Sequence, residues 1–168
     1  LMSFAKSKGK ADFFMFGEVY SSDPTITSVY TTQGRLPGVL DFAFQQQAAG
    51  FAVEGAATDK LRDLFAADDY YTDADSNANG LAKFLSNHDM GRIGYSLQTQ
   101  LTDAPDGERV ARAKLASALM YFTRGFPITY YGDEQGFVGG GSDQASREDM
   151  MPSQVASYNA EDLLGTDK

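Results

Sequence analysis

The feature of this sequence that most limits its fold is a set of short apolar segments that stop abruptly at polar residues. Short, continuously apolar segments are typical of strands covered on both faces. Strands that alternate with helical segments are typical of a parallel α/β sheet. The four apolar segments are 11–19, 39–44, 81–87 and 128–131. We therefore predict an α/β fold in which four strand ends meet at one edge of a sheet.

Helical signals lie between these segments. Helices are predicted over 58–65, which opens with a capping threonine, and over 107–124, which has the clearest helical spacing of apolar residues. Residues 23–32, which open with Asp-Pro, are predicted to form a brief helical or irregular segment. Residues 1–12 are interpreted as the end of a preceding helix, and residues 137–168 as a loop-rich tail.

Length and composition exclude several classes of function. A chain of 168 residues can bury a core, and without an internal linker or repeat it is predicted to be one domain, 1–168. Its formal net charge of −9 argues against nucleic-acid and anionic-membrane partners. No apolar stretch is long enough to span a bilayer. The absence of cysteine leaves the compartment open, and we expect a soluble protein, secreted or periplasmic rather than cytoplasmic.

Two of the predicted strands end in residues that could carry chemistry. Glu18 follows the first apolar segment, and the sole histidine, His88, follows the third together with Asp89. Such strand ends suit either an open α/β sheet or a (β/α)8 barrel, and no G-x-G-x-x-G motif supports dinucleotide binding. A complete barrel takes ~250 residues. From these residues alone, a solvent-facing glutamate and a structural histidine are the more frequent explanations.

Several segments resemble, in the same order, parts of the catalytic barrel of the α-amylase family, glycoside hydrolase family 13. The resemblance extends over roughly 13–150 and implies the C-terminal half of a (β/α)8 TIM barrel, strands five to eight with their helices. The segments that carry it are Phe16–Tyr20 for strand five, Leu36–Phe42 for strand six, Phe84–Asp89 for strand seven, Phe126–Gly136 for strand eight and, more loosely, Ser146–Met150 for the loop that follows.

The resemblance implies a role for each polar residue at the strand ends. In a retaining α-glycosidase Glu18 would be the general acid/base, Asp89 would stabilise the transition state, and His88 would hold the sugar. An apolar approach through Phe14 and Phe16 would desolvate Glu18 and keep its proton available near neutrality. Further substrate contacts are expected from Asn87, Arg92 and Tyr20.

Besides a substrate contact, two other interpretations of Arg92 remain. Its guanidinium could orient Asp89 or Glu18 by a bidentate contact, or it could be a plain surface arginine.

The sequence departs from the family where the nucleophile is expected. That residue is an aspartate in a G-x-R-x-D setting, and nothing before Phe13 has this pattern. The chain alone is therefore expected to be inactive. We expect no cofactor or metal in these residues, although calcium is possible in a full-length enzyme. The acidic segment 73–80 lacks the closing glutamate of a calcium loop and is better explained as a surface loop.

The expected substrate is an α-glucan or maltooligosaccharide, with hydrolysis and transglycosylation both open. The alternative is a non-catalytic carbohydrate-binding or scaffold member of the same barrel family. The expected protein partners are the missing N-terminal half of the barrel and, through exposed sheet edges, other copies of this chain.

Overall fold

Four short strand segments lie side by side at the centre of the structure, a computed structural model that describes residues 1–166. Two of them are regular strands, β1 (Ala82–Lys83) and β2 (Phe126–Pro127), and the other two join the sheet through single residue pairs. All pairs are parallel and follow chain order, which confirms the predicted parallel arrangement. The register is set by Gly17 opposite Val39, Leu40 opposite Ala82, Ala82 opposite Phe126, and Lys83 opposite Pro127.

The connecting segments between these strands are mostly helical. The α-helices are α1 (Met2–Ser7), α2 (Pro24–Thr32), α3 (Phe42–Ala52), α4 (Asp59–Ala66), α5 (Ile93–Gln100) and α6 (Asp106–Phe122). Short 3-10 helices occupy Ala67–Tyr71, Ala78–Gly80, Asp133–Gln135 and Tyr158–Ala160. Within residues 1–166, none of the helices combines the length and the apolar character needed to cross a bilayer.

The main hydrophobic core joins the third strand segment to the helices around it. Leu85, which follows β1, packs with residues of α3, α5 and α6, and each large aliphatic side chain buried in this way contributes roughly 1.5–3 kcal/mol. The fully or nearly fully buried members are Phe44, Ala48, Ala52, Val53, Leu64, Leu85, Ile93, Leu97, Ala116 and Met120.

Other aromatic rings belong to the strand segments and to the first residue of α3. Phe14 meets Phe126 edge to face at 5.0 Å between ring centres, and Phe42 meets Phe84 in the same way at 5.1 Å. Phe84 and Leu85 are neighbours in one strand segment, so they point to opposite faces. The aromatic side chains therefore cover the face that the helical core leaves open.

The predicted strand 39–44 is wrong from Asp41 onward. The Asp41 carboxylate accepts a hydrogen bond from the Phe44 backbone N–H at 2.9 Å and caps the first turn of α3. An N-cap of this kind stabilises a helix by ~1 kcal/mol and here ends the strand after Leu40. Helix α5 was also not predicted, because only Ile93 and Leu97 mark its buried side.

The strand predicted over 128–131 is wrong in position, because β2 lies just before it, and of the predicted strand 11–19 Gly17 alone pairs in the sheet. The predicted helices are present, with shifted ends. Asp23 caps α2 through the Thr25 backbone N–H at 2.8 Å, as its sequence predicts. Helix α6 ends at Phe122, two residues before the predicted end. Gly125 has φ +85°, and a Cβ there would lie 2.6 Å from the Leu81 carbonyl oxygen. This glycine therefore allows a close approach to the neighbouring strand instead of terminating the helix.

Lys83 is fully buried behind the sheet, on the side of the helices. Its ammonium group donates to the carbonyl oxygens of Met120 and Thr123, at 2.5 and 2.7 Å, at the end of α6. Burial, with a smaller contribution from the positive charge of Arg124, lowers the pKa of Lys83 to about 8.

This burial predicts that the protein becomes more stable between pH 7 and 9.5. Over that range the unfolded chain binds a proton at Lys83 that the folded chain progressively loses, so the free energy of unfolding rises with pH. The rise is at most roughly 2 kcal/mol. Urea unfolding measured at pH 7 and at pH 9.5 should show this rise in the free energy of unfolding for the natural chain and for Lys60→Met, an exposed control. Lys83→Met should not show it. An equal rise in Lys83→Met would contradict the assignment.

Candidate active site

The third strand segment ends in a tight turn that presents the predicted site residues. Asn87 and Gly91 exchange backbone hydrogen bonds of 3.3 and 3.1 Å across this turn. The Asn87 side-chain oxygen accepts from the backbone N–H groups of Asp89 and Met90 at 2.9 and 2.7 Å. Gly91 has φ +89°, a left-handed conformation that favours glycine. Asn87 thus shapes the turn from within.

His88 and Asp89 project from this turn as a connected pair. Their side chains are 55% and 45% exposed, so both reach solvent although the strand before them is buried. His88 Nε2 lies 3.4 Å from Asp89 Oδ1, and Arg147 Nη2 lies 3.3 Å from the same oxygen. Two nitrogen-bearing side chains therefore flank one carboxylate.

Arg92, at the end of the turn, lies beneath it and has no exposed side-chain surface. Its Nε donates to Glu148 at 2.5 Å, and its Nη1 donates to Asp133 at 2.9 Å and to the Tyr131 carbonyl oxygen at 2.7 Å. The interpretation as a surface arginine is therefore wrong. In this geometry Arg92 fixes the turn from below, and its side chain presents no surface to solvent.

Asp133 shares the buried environment of Arg92. Burial raises the pKa of its carboxyl group, while hydrogen bonds from Ser86 and Arg92 oppose that rise. Ser86 also accepts a hydrogen bond from the Ile93 backbone N–H at 2.9 Å. The turn is therefore held at both ends before α5 begins.

A loop after β2 holds the turn from the side. Ser146 Oγ donates to the His88 carbonyl oxygen at 3.4 Å, next to the ion pair of Arg147 with Asp89 and that of Glu148 with Arg92. Residues 146–150 resemble the family only loosely, so their sequence predicts no role for these three residues. In the sequence Ser146, Arg147 and Glu148 form only a run of one polar and two charged residues. Such a run does not indicate which residues it contacts in the fold.

Glu18 follows the first strand segment and is exposed to solvent. Within residues 1–166 no hydrogen bond or ion pair joins it to His88 or Asp89. The expected desolvation through Phe14 and Phe16 is not found here, because these rings are themselves 48% and 47% exposed.

Tyr20 links the Glu18 strand end to the interior of the sheet. Although 72% exposed, its ring lies 4.7 Å from the ring of Phe42, which in turn contacts Phe84. One strand segment separates the strand of Glu18 from that of Asp89, so the two strands lie roughly 10 Å apart. That spacing leaves room for a sugar ring and exceeds the ~5–5.5 Å between the acid and the nucleophile of a retaining glycosidase.

Asp41 is excluded as a reacting carboxylate by its surroundings. It is 3% exposed, caps α3, and forms an ion pair with Arg124, which also binds Asp68. A cavity of about 280 Å³ beside this ion pair contains none of the predicted site residues.

The larger cavity, about 510 Å³, is an apolar groove beside α6 and is also distinct from the candidate site. It is bordered by Ala113, Ser117 and Tyr121 on the helix and by Phe137 and Leu164 opposite. His88, Asp89 and Glu18 do not line it. The described residues thus present the candidate side chains on an open surface.

No group of three potential metal ligands converges among residues 1–166. In the acidic segment, the Asp73 carboxylate accepts hydrogen bonds from the backbone N–H groups of Asp75 and Ser76 at 2.9 and 2.8 Å. The residues present therefore do not fit a calcium site, and we assign a metal no part in the chemistry below.

Comparison with known sequences gives a match over nearly the whole chain. The family model for the alpha amylase catalytic domain matches residues 2–168. An alpha-amylase of Streptomyces lividans is 48% identical over 168 residues, which is 100% of this chain and 18% of that protein.

Comparison with solved structures also finds similarity to alpha-amylases. The chain superimposes on alpha-amylase from Geobacillus thermoleovorans, complexed with acarbose, with a TM-score of 0.72 and 27% identity, covering 94% of this chain and 34% of that one. For CldA, a cyclomaltodextrin glucanotransferase, the TM-score is 0.67 at 27% identity, with 89% and 29% covered. The chain thus spans no more than about a third of each of these proteins.

The contrast between two arginines of the site gives a prediction. Arg92→Leu should lower the free energy of unfolding by about 3–5 kcal/mol, because it leaves Glu148 and Asp133 buried without their cation. Arg147→Leu removes only a half-exposed pair and should cost about 1 kcal/mol or less. Urea unfolding followed by circular dichroism measures both, and equal losses would contradict the structural role given to Arg92.

Proposed function

The chain belongs to the alpha-amylase catalytic-domain family, and from this membership we propose that it carries part of the active site of a retaining α-glycosidase. Its substrates would be α-linked glucans or maltooligosaccharides, cleaved by hydrolysis or transglycosylation. The observation that carries the proposal is the turn of residues 87–91, which exposes His88 and Asp89 at the end of a buried strand while Arg92 anchors it from below.

Each proposed role follows from the chemistry of glycoside cleavage. Glu18 donates its proton to the glycosidic oxygen as the bond from the sugar carbon to that oxygen breaks. Positive charge then develops on the sugar ring, and the Asp89 carboxylate stabilises it. His88 donates a hydrogen bond to a sugar hydroxyl group, and Tyr20 offers an exposed ring for stacking against the sugar.

The proposal assigns no nucleophile within this chain. Asp41 is buried in a helix cap and an ion pair, and Asp12 stands at the start of the first apolar segment instead of at its end. Without the nucleophile the remaining groups support little of the rate, because catalytic residues act as a unit. We therefore expect the 168-residue chain by itself to be inactive.

We further propose that the four strand segments correspond to strands five to eight of a (β/α)8 barrel. The superposition on an alpha-amylase and the chain order of the parallel segments support this assignment. Phe13, Phe14 and Phe16 are 46–48% exposed on the first segment, an unusual density of open aromatic surface. The remaining strands would cover these rings and desolvate Glu18.

A segment exchange tests the proposed function. This chain replaces the matching segment of the Streptomyces lividans alpha-amylase, and release of a chromogenic group from an α-linked maltooligosaccharide is measured. The chimera should turn over the substrate. Glu18→Gln should lower kcat by roughly 10²–10⁴, and Asp89→Asn by ~10²–10³.

Matched controls in the same chimera are Glu54→Gln and Asp75→Asn, which are exposed carboxylates outside the site and should keep full activity. Full activity in Glu18→Gln would overturn the assignment of the acid/base. A folded chimera that binds maltooligosaccharide without cleaving it would instead favour the non-catalytic carbohydrate-binding alternative.

The exposed aromatic face predicts self-association of the isolated chain. Sedimentation velocity should give a mass above the 18.2 kDa of one chain, because the phenylalanines of the first segment and the open sheet edges pair with another copy. Phe14→Ser combined with Phe16→Ser should shift the chain toward monomer. Phe122→Ser, which alters a ring on α6 that is 89% exposed, should not. A folded, strictly monomeric natural chain would contradict this expectation.

A further inference from the structure

Two buried polar atoms without a hydrogen-bond partner lie in one cluster. Among the residues described, the buried side-chain atoms that lack a partner are Arg92 Nη2 and Glu161 Oε2. Leaving a buried polar atom unpaired destabilises a fold, so both atoms require an explanation. The proposed chemistry of the site uses neither.

A proton explains the unpaired oxygen. The Glu161 carboxyl group is close enough to that of Glu148 for each to affect the protonation of the other. Two ionised carboxylates only accept hydrogen bonds, so a hydrogen bond between them forms only when one of them carries a proton. A proton on Glu161 turns the unpaired acceptor into a donor to Glu148, which already accepts from Arg92.

The charges around this pair favour holding the proton. Arg92 is the cation of the cluster and faces three carboxyl groups, those of Glu148, Asp133 and Glu161. Glu134 lies beyond Asp133 and adds a further negative charge. Burial, followed by the hydrogen bond and the charge of Glu148, raises the pKa of Glu161 to about 7, although Arg92 opposes the rise.

Glu161 belongs to a terminal segment, 158–166, that packs across the rest of the structure. The backbone N–H of Leu164 donates to the Gly136 carbonyl oxygen at 2.9 Å, and that of Gly165 donates to Asp106 at 2.8 Å. The Leu164 side chain packs against the helical core.

The next carboxylate, Asp162, is turned elsewhere. It accepts from Gln98 at 3.3 Å, on α5, and is exposed. Of the two adjacent acidic residues, Glu161 is therefore the one whose charge faces Arg92.

We propose that Glu161 is a positioning residue, which fastens the segment 158–166 to Glu148 and Arg92 through a shared proton and thereby supports the turn of His88 and Asp89. Arg92 transmits the effect, because it joins the base of that turn to Glu148. The attachment stands on the geometry of this chain alone, whereas its relevance to catalysis rests on the proposed function.

The sign of the pH dependence follows from which state holds the proton. The packed segment keeps the proton on Glu161 up to about pH 7, whereas a detached segment releases it near the ordinary glutamate value, ~4.3. Packing is therefore strongest in acid and weakens as the pH rises toward and through 7. Between pH 6 and pH 8 the packing equilibrium should fall about tenfold.

Amide hydrogen exchange in the 168-residue chain measures this equilibrium directly. After correction for intrinsic exchange rates, protection of the Leu164 and Gly165 amides should fall about tenfold from pH 6 to pH 8. Glu161→Gln should keep the protection at both values, because its side-chain amide donates to Glu148 at any pH. Asp162→Asn, the matched control, should retain the pH dependence of the natural chain.

Two results would overturn the proposal: protection that does not change with pH in the natural chain, or an unchanged pH dependence in Glu161→Gln. If Glu161→Gln fails to fold, a carbon-13 titration of the Glu161 side chain in the natural protein decides the question. A midpoint near 7 supports the proposal, and one near the ordinary glutamate value contradicts it.

The positioning role of Glu161 predicts a measurable change at Arg92. The Arg92 Nε–H resonance should shift with the same midpoint as Glu161 in the natural chain and lose that transition in Glu161→Gln. An Arg92 resonance without this transition would contradict the link to the turn. None of these measurements depends on glycoside cleavage, so failure of the attachment and failure of the proposed function are distinguishable.

Discussion

The buried guanidinium of Arg92 is the interaction on which the candidate site depends. It connects the turn that precedes α5, the segment after β2 and the loop of Glu148 through hydrogen bonds of 2.5–2.9 Å. A buried charge is tolerated only when it is paired, so these three pieces of chain are stable together or not at all. The rings of Tyr130, Tyr131 and Phe137 lie 4.6–5.2 Å from the guanidinium and exclude water from it.

This dependence explains how an open surface can hold a defined geometry. Asp89 is half exposed and would be mobile on a simple loop, yet Asn87 shapes its turn from within, Arg92 anchors it below, and Arg147 and Ser146 meet it from the side. Sites held in this way by supporting side chains keep their reactive groups in place. Glu18 has no such support among the described residues, which fits a proposed site that is completed by further strands.

The sequence predicts the parts of this structure that depend on local patterns. Apolar segments that end in polar residues locate the strand pairings at 39–40 and 82–83, and the Asp23 cap locates the start of α2, whereas β2 lies just before the apolar segment 128–131. The strand predicted over 39–44 is wrong because the Asp41 side chain caps a helix there. A short apolar segment occurs both in strands and in buried helices, so its pattern does not distinguish them. The burial of Arg92 and the contact of Arg147 with Asp89 depend on residues 39 to 58 positions apart, which no local pattern reveals.

The central claim is that the turn of His88 and Asp89, together with Glu18, forms one side of a glycoside-cleaving site. A crystal structure of the Streptomyces lividans chimera with a bound maltooligosaccharide tests it most directly. The account predicts a sugar ring between the two strand ends, with Glu18 at hydrogen-bonding distance from a glycosidic oxygen and Asp89 beside the ring. An oligosaccharide bound elsewhere, for example in the groove beside α6, with Glu18 and Asp89 left free, would contradict it.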